Sequence, residues 1–316
     1  MNDAMKFQPS EKPMVTVALA VLNGGKVLEK AVCSVLNQSW PHWELLLLDD
    51  GSTDGAIDRL PFLTDPRIVV IRDGQNLGLA TRLNQAVAMA KGKYFARMDH
   101  DDLCHPERFA LQIAFLDRHP EVDLLATKCL SIDEQDRLVG MLPSAICHAD
   151  ICRRPWQGFY MAHPSWMGRT EWFRHNAYQD PAPYRCEDQE LLLRAHYFSC
   201  YHTLPERLLA YRIRSHTPWR KQFRTRLAMG KMKAIHFIER GLLVNVFLSC
   251  LIEFVRICRD GLNTFLHMPS FPTKVGEVSI PTLEDRQNWE RLIAELNAQV
   301  ECMKSNQSIN QSTASA

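Results

Sequence analysis

The stretch Trp43-Glu44-Leu45-Leu46-Leu47-Leu48-Asp49-Asp50-Gly51-Ser52 drives an unbroken apolar run straight into two adjacent carboxylates. Four successive leucines suit a strand buried on both faces, as in the middle of a parallel sheet. Upstream, Val15–Leu22 (VTVALAVL) reads as a second strand of the same kind. Downstream, Ile68–Ile71 is a short third strand, and Tyr94–Met98 a fourth that ends at Asp99-His100-Asp101-Asp102. Helical spacing fills the intervals: Leu28, Val32, Val35 and Leu36 within 25–38, then Leu79, Leu83, Val87 and Ala90 within 77–91. Asn76 is the expected N-cap of that second helix and Gly92 its stop. Pro106 opens a third, with Phe109, Ile113 and Leu116 on one side. Strand and helix thus alternate, which predicts a mostly parallel α/β sheet with flanking helices. Ligands of such sheets bind beyond the carboxyl ends of the strands. Two of the four strands end there in neighbouring aspartates.

Beyond residue 120 the pattern loosens. Val122–Ile132 and Leu208–Arg214 read as strands, Ala162–Arg169 as a short extended piece, and Glu187–Ala195 as an acid-rich helical turn. No acid lies between Glu206 and Glu239, while Arg212 to Lys233 holds eight Lys or Arg. The apolar segment Leu242–Val255 follows, interrupted by Glu253, and the polar residues 303–316 are expected to be a disordered tail. The 316 residues carry 37 basic and 36 acidic side chains, a balance that gives no reason to expect a nucleic-acid partner. The ten cysteines have no zinc-ligand spacing, so reduced thiols in a cytoplasmic protein are expected. Residues 1–13 are polar and read as a flexible lead-in with no secretory signal, and no run is apolar enough to span a membrane.

Asp99 and Asp101 are two residues apart, which in an extended chain points both carboxylates to one side. Like charges so placed are unfavourable unless a cation neutralises them. Oxygen ligands favour Mg²⁺ or Mn²⁺, which completes its shell with substrate phosphates. Asp50 is placed to accept from a base N–H or a ribose hydroxyl, while an Asx turn through Asp50-Gly51-Ser52 is the structural alternative. Neither GxGxxG after the first strand nor GxxxxGK[ST] occurs, which argues against a dinucleotide fold or a P-loop.

Asn23, Ser34-Val35-Leu36-Asn37-Gln38 and Glu44 through Asp54 together resemble the opening of family 2 glycosyltransferases. Asn76-Leu77-Gly78-Leu79-Ala80, Asn84, Lys91-Gly92-Lys93-Tyr94 and Arg97 through Asp102 resemble that family's second block. The resemblance spans about residues 13 to 215 and implies a GT-A fold over 14–218, followed by a helical region over 219–302. It implies an inverting, metal-dependent transfer from a nucleotide-diphospho-sugar, UDP-linked or similar, to a saccharide or lipid-linked acceptor in cell-surface polysaccharide or lipopolysaccharide synthesis. Carried over, Asp50 and Asn23 fall on the nucleotide-sugar, Asp99 near ribose and metal, and Asp101 on the metal. The family's late acidic pair is here Glu187-Asp188, with Asp188 as catalytic base and Glu187 and Arg194 on the acceptor side; His163, in His163-Pro164-Ser165, reads either as a residue of the acceptor pocket or as a buried structural histidine. Tyr211-Arg212-Ile213-Arg214 lacks the histidine many relatives carry there, and His216 two residues on is the candidate metal or diphosphate contact in its place. An inverting displacement needs one carboxylate base and one cation, and no nucleophile from the protein. Two readings stay open for the region after Arg212: a helical pair packed on the catalytic domain, or a peripheral anchor on the cytoplasmic face of an anionic inner membrane. A non-catalytic nucleotide-sugar-binding member of a glycan assembly complex is the rival function.

Overall fold

The computed structural model describes residues 14–214, 217–266 and 281–314. The first half contains β1 (Val15–Val21), α1 (Val27–Leu36), β2 (Trp43–Asp49), β3 (Ile68–Arg72), α2 (Leu79–Met89), β4 (Tyr94–Asp99), β5 (Leu103–Cys104) and α3 (Arg108–Arg118). Then come β6 (Leu124–Ile132), β7 (Leu138–Met141), α4 (His148–Ile151), β8 (Met167–Arg169), α5 (Thr170–His175), α6 (Glu187–Ala195) and β9 (Tyr201–Arg212). Three helices close the chain: α7 (Trp219–Glu239), α8 (Leu243–Phe265) and α9 (Leu283–Ala314).

All the strands join one sheet in the order β3-β2-β1-β4-β8-β6-β9-β5, with β7 on β6. Parallel ladders carry most of the pairing, and the short β8 is the antiparallel joint between the two parallel blocks. Side chains alternate across the sheet. Val15, Val17 and Leu19 accordingly face one core with α1, while Ala18, Leu46 and Leu48 face a second with α2. Register does the work of placing the site. Ala20 pairs with Leu48 of β2 and with Asp99 of β4, and Val21 pairs with Asp49. The acidic ends of two strands therefore emerge at one level of the sheet.

Four local expectations give way. Asn76 does not cap α2; the helix follows Gly78 at φ +88, with no capping bond from a neighbouring side chain. Asp50, across the sheet, accepts from the Leu77 and Gly78 amides instead, at 2.7 and 3.1 Å. Gly92 is not a left-handed stop: a Cβ there would lie 2.5 Å from the Thr16 amide nitrogen, so close backbone approach to β1 requires glycine. The tail expected to be disordered from 303 is drawn within α9, which runs to Ala314. Trp289, Ile293, Leu296 and Val300 of α9 are buried in the α1-side core, and extending an anchored helix needs no new nucleation. β9 also starts earlier than expected, at Tyr201, because it pairs in parallel with the whole of β6.

Candidate active site

A cleft of about 1020 Å³ opens at the carboxyl ends of the strands. Asp99 and Asp101 form one wall, where β4 breaks off into the turn before β5. Arg97 Nη2 binds Asp99 Oδ1 at 2.6 Å. Arg97 itself is 2% exposed, and its Nε and Nη1 have no hydrogen-bond partner among the described residues. A buried guanidinium of this kind is costly unless other charges answer it. Asp101 also lines the cleft, with Arg214 Nη2 at 3.9 Å from its Oδ2. Asp102 turns the other way: it is buried, and its Oδ1 takes the Arg212 amide at 2.8 Å. Burial, with Asp99 and Asp101 close by, holds its carboxyl well above the usual range. Asp102 thus ties the acidic turn to β9.

Glu187 and Asp188, in the first turn of α6, line the same cleft from a second element. Burial, then the charge of Asp188, pushes Glu187 up to about 7. Asp188 is raised too, chiefly by burial, while the Gln189 side-chain amide donates to its Oδ2 at 3.2 Å. Gln189 is held in turn on the Phe159 backbone, its Oε1 2.8 Å from that amide. His163 lines the same cleft and is also a packed core residue, 7% exposed and set against Trp166. Its Nε2 lies 2.7 Å from the Tyr178 hydroxyl, and burial lowers its pKa well below that of free histidine. A neutral ring follows. Arg194 does not reach the cleft. It sits two turns along α6, bound to Glu190 at 2.8 Å and to the Ala177 carbonyl at 2.7 Å.

Asp50 and Asn23 also stand apart from the lining residues. Asp50 is buried beneath Leu77 and Gly78, which do form the wall, and Arg82 Nε binds its Oδ1 at 3.0 Å. Asn23, at φ +53, accepts from the Thr53 amide at 2.8 Å and so joins the loops after β1 and β2. Both residues sit in loops at the strand ends, and their side chains are spent on building those loops. His216 lies outside the described residues.

Residues 16–176 match the family model of glycosyl transferase family 2. The chain belongs to that family. Among its relatives is EpsE of Bacillus subtilis (strain 168), named as a glycosyltransferase and 35% identical over 157 residues, 45% of this chain and 56% of EpsE. The chain thus spans little more than half of that relative's length. An uncharacterized glycosyltransferase of Haemophilus influenzae is 26% identical over 218 residues, 64% of this chain and 66% of the relative. The crystal structure of Staphylococcus aureus TarS 1–349 in complex with UDP-GlcNAc aligns over 92% of this chain and 83% of that one, with TM-score 0.59 at 16% identity. That likeness carries the fold alone, and the GT-A architecture expected from the sequence is the one observed.

The cleft and its supports include residues to which the sequence reading gave no role of their own. Arg97 was visible as a lone charge inside the apolar run Tyr-Phe-Ala-Arg-Met, and Arg82 as a charge on the helix face that should pack. Arg82 is fully buried and clasps both Asp50 and Asp73. Gln189 gave no signal beyond its place beside the acidic pair. For a divalent ion, the donor set fits in part. Asp99 and Asp101 offer hard oxygens to one cleft, but no group of three or more candidate ligands gathers among the described residues. Such an ion would draw its other ligands from substrate phosphate and water.

Proposed function

We propose that the chain is an inverting, metal-assisted glycosyltransferase that moves a sugar from a nucleoside-diphosphate donor to an acceptor hydroxyl. One observation carries the reading: two carboxylate pairs, Asp99/Asp101 and Glu187/Asp188, line the same cleft from different elements. Support for the donor class comes from TarS, solved with UDP-GlcNAc, and from a Pyrobaculum calidifontis mannosyltransferase, solved with GDP-Man and Mn²⁺ at TM-score 0.52. Asp99 and Asp101 would hold a divalent ion, which when bound offsets charge on the leaving diphosphate. Asp188 takes the proton from the acceptor hydroxyl as its oxygen attacks the anomeric carbon. The bond from that carbon to the diphosphate oxygen breaks, its electrons leaving with the nucleoside diphosphate, so configuration inverts. Leu77, Gly78 and their Asp50–Arg82 support wall the nucleotide side. Neutral His163 lines the cleft without adding charge.

Asp188→Asn is expected to cut transfer by about 10²–10⁴-fold, the usual contribution of a general base, while leaving donor binding intact. Asp101→Ala is expected to abolish the rise in melting temperature that a nucleoside diphosphate gives with Mn²⁺. Full turnover in Asp188→Asn would remove that residue as base. A Mn²⁺-dependent shift unchanged in Asp101→Ala would remove the metal assignment.

A further inference from the structure

The hairpin of α7 and α8 is packed inside out. Along α8, Val244, Phe247, Leu251, Phe254, Leu262 and Phe265 recur at the spacing of a core-facing stripe. All are turned outward, with Phe247 65%, Phe254 63% and Phe265 78% exposed. What α8 buries is polar: Ser249, Glu253 and Asp260. Those acids meet α7 through ion pairs, Lys233 Nζ to Glu253 Oε1 at 2.9 Å and Arg226 Nε to Asp260 Oδ2 at 2.9 Å. Arg256 closes on Glu253 at 2.7 Å. A buried ionic seam contributes little net stability but fixes which face of a helix points in. Here it holds the apolar face out, over roughly 30 Å of helix from Val244 to Phe265.

Charge narrows what covers that face. α7 exposes Arg220, Arg224 and Lys231 alongside Phe223, Leu227 and Ile235, and Arg240 is exposed just past its end. From Arg212 to Leu266 there are three acids; Glu253 and Asp260 are buried in the seam, so Glu239 is the one on the surface. A second copy would press this cationic surface against itself. Anionic phospholipid headgroups over an acyl layer answer both properties at once. No helix among the described residues is long and apolar enough to cross a membrane, so the hairpin suits the interface. α7 also starts at the cleft, whose lining includes Thr217, Pro218 and Lys221.

We propose that the α7–α8 hairpin seats on an anionic bilayer, its outward stripe at the acyl–headgroup boundary and its cations against lipid phosphate, holding the cleft mouth beside the surface. The test is co-sedimentation of the full chain with vesicles of phosphatidylcholine alone and of phosphatidylcholine with phosphatidylglycerol, beside Phe247→Ser/Phe254→Ser. The wild type is expected to bind the anionic vesicles more tightly and to weaken as salt rises. The double variant is expected to lose at least about tenfold in partitioning at unchanged melting temperature, since both rings are already exposed. No binding to anionic vesicles, or equal binding by the double variant, would overturn the proposal. So would a dimer in light scattering that the double variant converts to monomer, which would assign the stripe to a second copy. A large fall in melting temperature in the double variant would show that the chain covers the stripe itself, and would overturn it as well. None of these readouts depends on sugar transfer.

Discussion

Glu187 shows how far a single side chain departs from what its identity suggests. Burial and the neighbouring Asp188 raise its carboxyl from the ordinary 4.5 to about 7. A raised carboxyl pKa means that folding favours the protonated form. The stability this group contributes is therefore complete below about pH 4.5 and is lost as pH rises through about 7. Glu187→Gln removes that dependence. The variant's melting temperature should fall less than the wild type's between about pH 5 and about pH 8, measured without substrate. Parallel curves for the two proteins would show that the pair is not held as its burial implies. Burial raises Asp188 in the same direction, so transfer through an ionised Asp188 should increase as pH rises through that raised range.

Among the elements, the turn between α2 and β4 shows why motif and mechanism need separate arguments. Lys91-Gly92-Lys93-Tyr94 is recognisable from sequence, and a helix stop is the natural reading of its glycine. The actual constraint is crowding. A side chain at 92 would meet the Thr16 amide nitrogen at 2.5 Å, the Val15 carbonyl carbon at 2.8 Å and the Tyr94 carbonyl oxygen at 2.9 Å. All three are backbone atoms and cannot swing aside. Thr16 Oγ1 also accepts from the Gly92 amide at 2.9 Å and donates to Glu44 at 2.6 Å, which ties β1, β2 and this turn together. Gly92→Ala is expected to cost about 3 kcal/mol, as overpacking against rigid atoms does, read by urea denaturation. A loss below about 1 kcal/mol would show that the turn yields more easily than this packing allows.

Across the whole molecule, α9 joins parts of the chain that the sequence separates. It packs on α1, where Asn37 and Gln299 exchange two side-chain bonds of 2.6 and 3.0 Å. Trp289 is 2% exposed in the core beneath β1 and β2, and its indole N–H donates to the Arg207 carbonyl at 3.1 Å. Arg207 also pairs with Asp285 at 3.3 Å. The helix α9, within and beyond the helical region expected over 219–302, thus completes the core on the α1 side of the sheet. Trp289→Ala should lower stability by about 3–5 kcal/mol, the range for deleting a buried aromatic, in the same denaturation measurement. A change under about 1 kcal/mol would detach α9 from that core.

Local pattern sufficed for the alternating strands, the acidic strand ends and the Glu187-Asp188 turn, because periodicity and strand-end chemistry are written in residues close together in the chain. The same pattern also named the family. Only the tertiary structure decided that Asp99, Asp101, Glu187 and Asp188 share one cleft while Arg194 faces away. It alone gave Asp50 to the Leu77 and Gly78 amides ahead of α2 and put the apolar face of α8 outside. Those outcomes turn on partners such as Asp50 with Leu77 or Lys233 with Glu253, distant in the chain and chosen by packing and ion pairing. Spacing along a sequence records which face a residue occupies on its own element, and folding decides what that face meets.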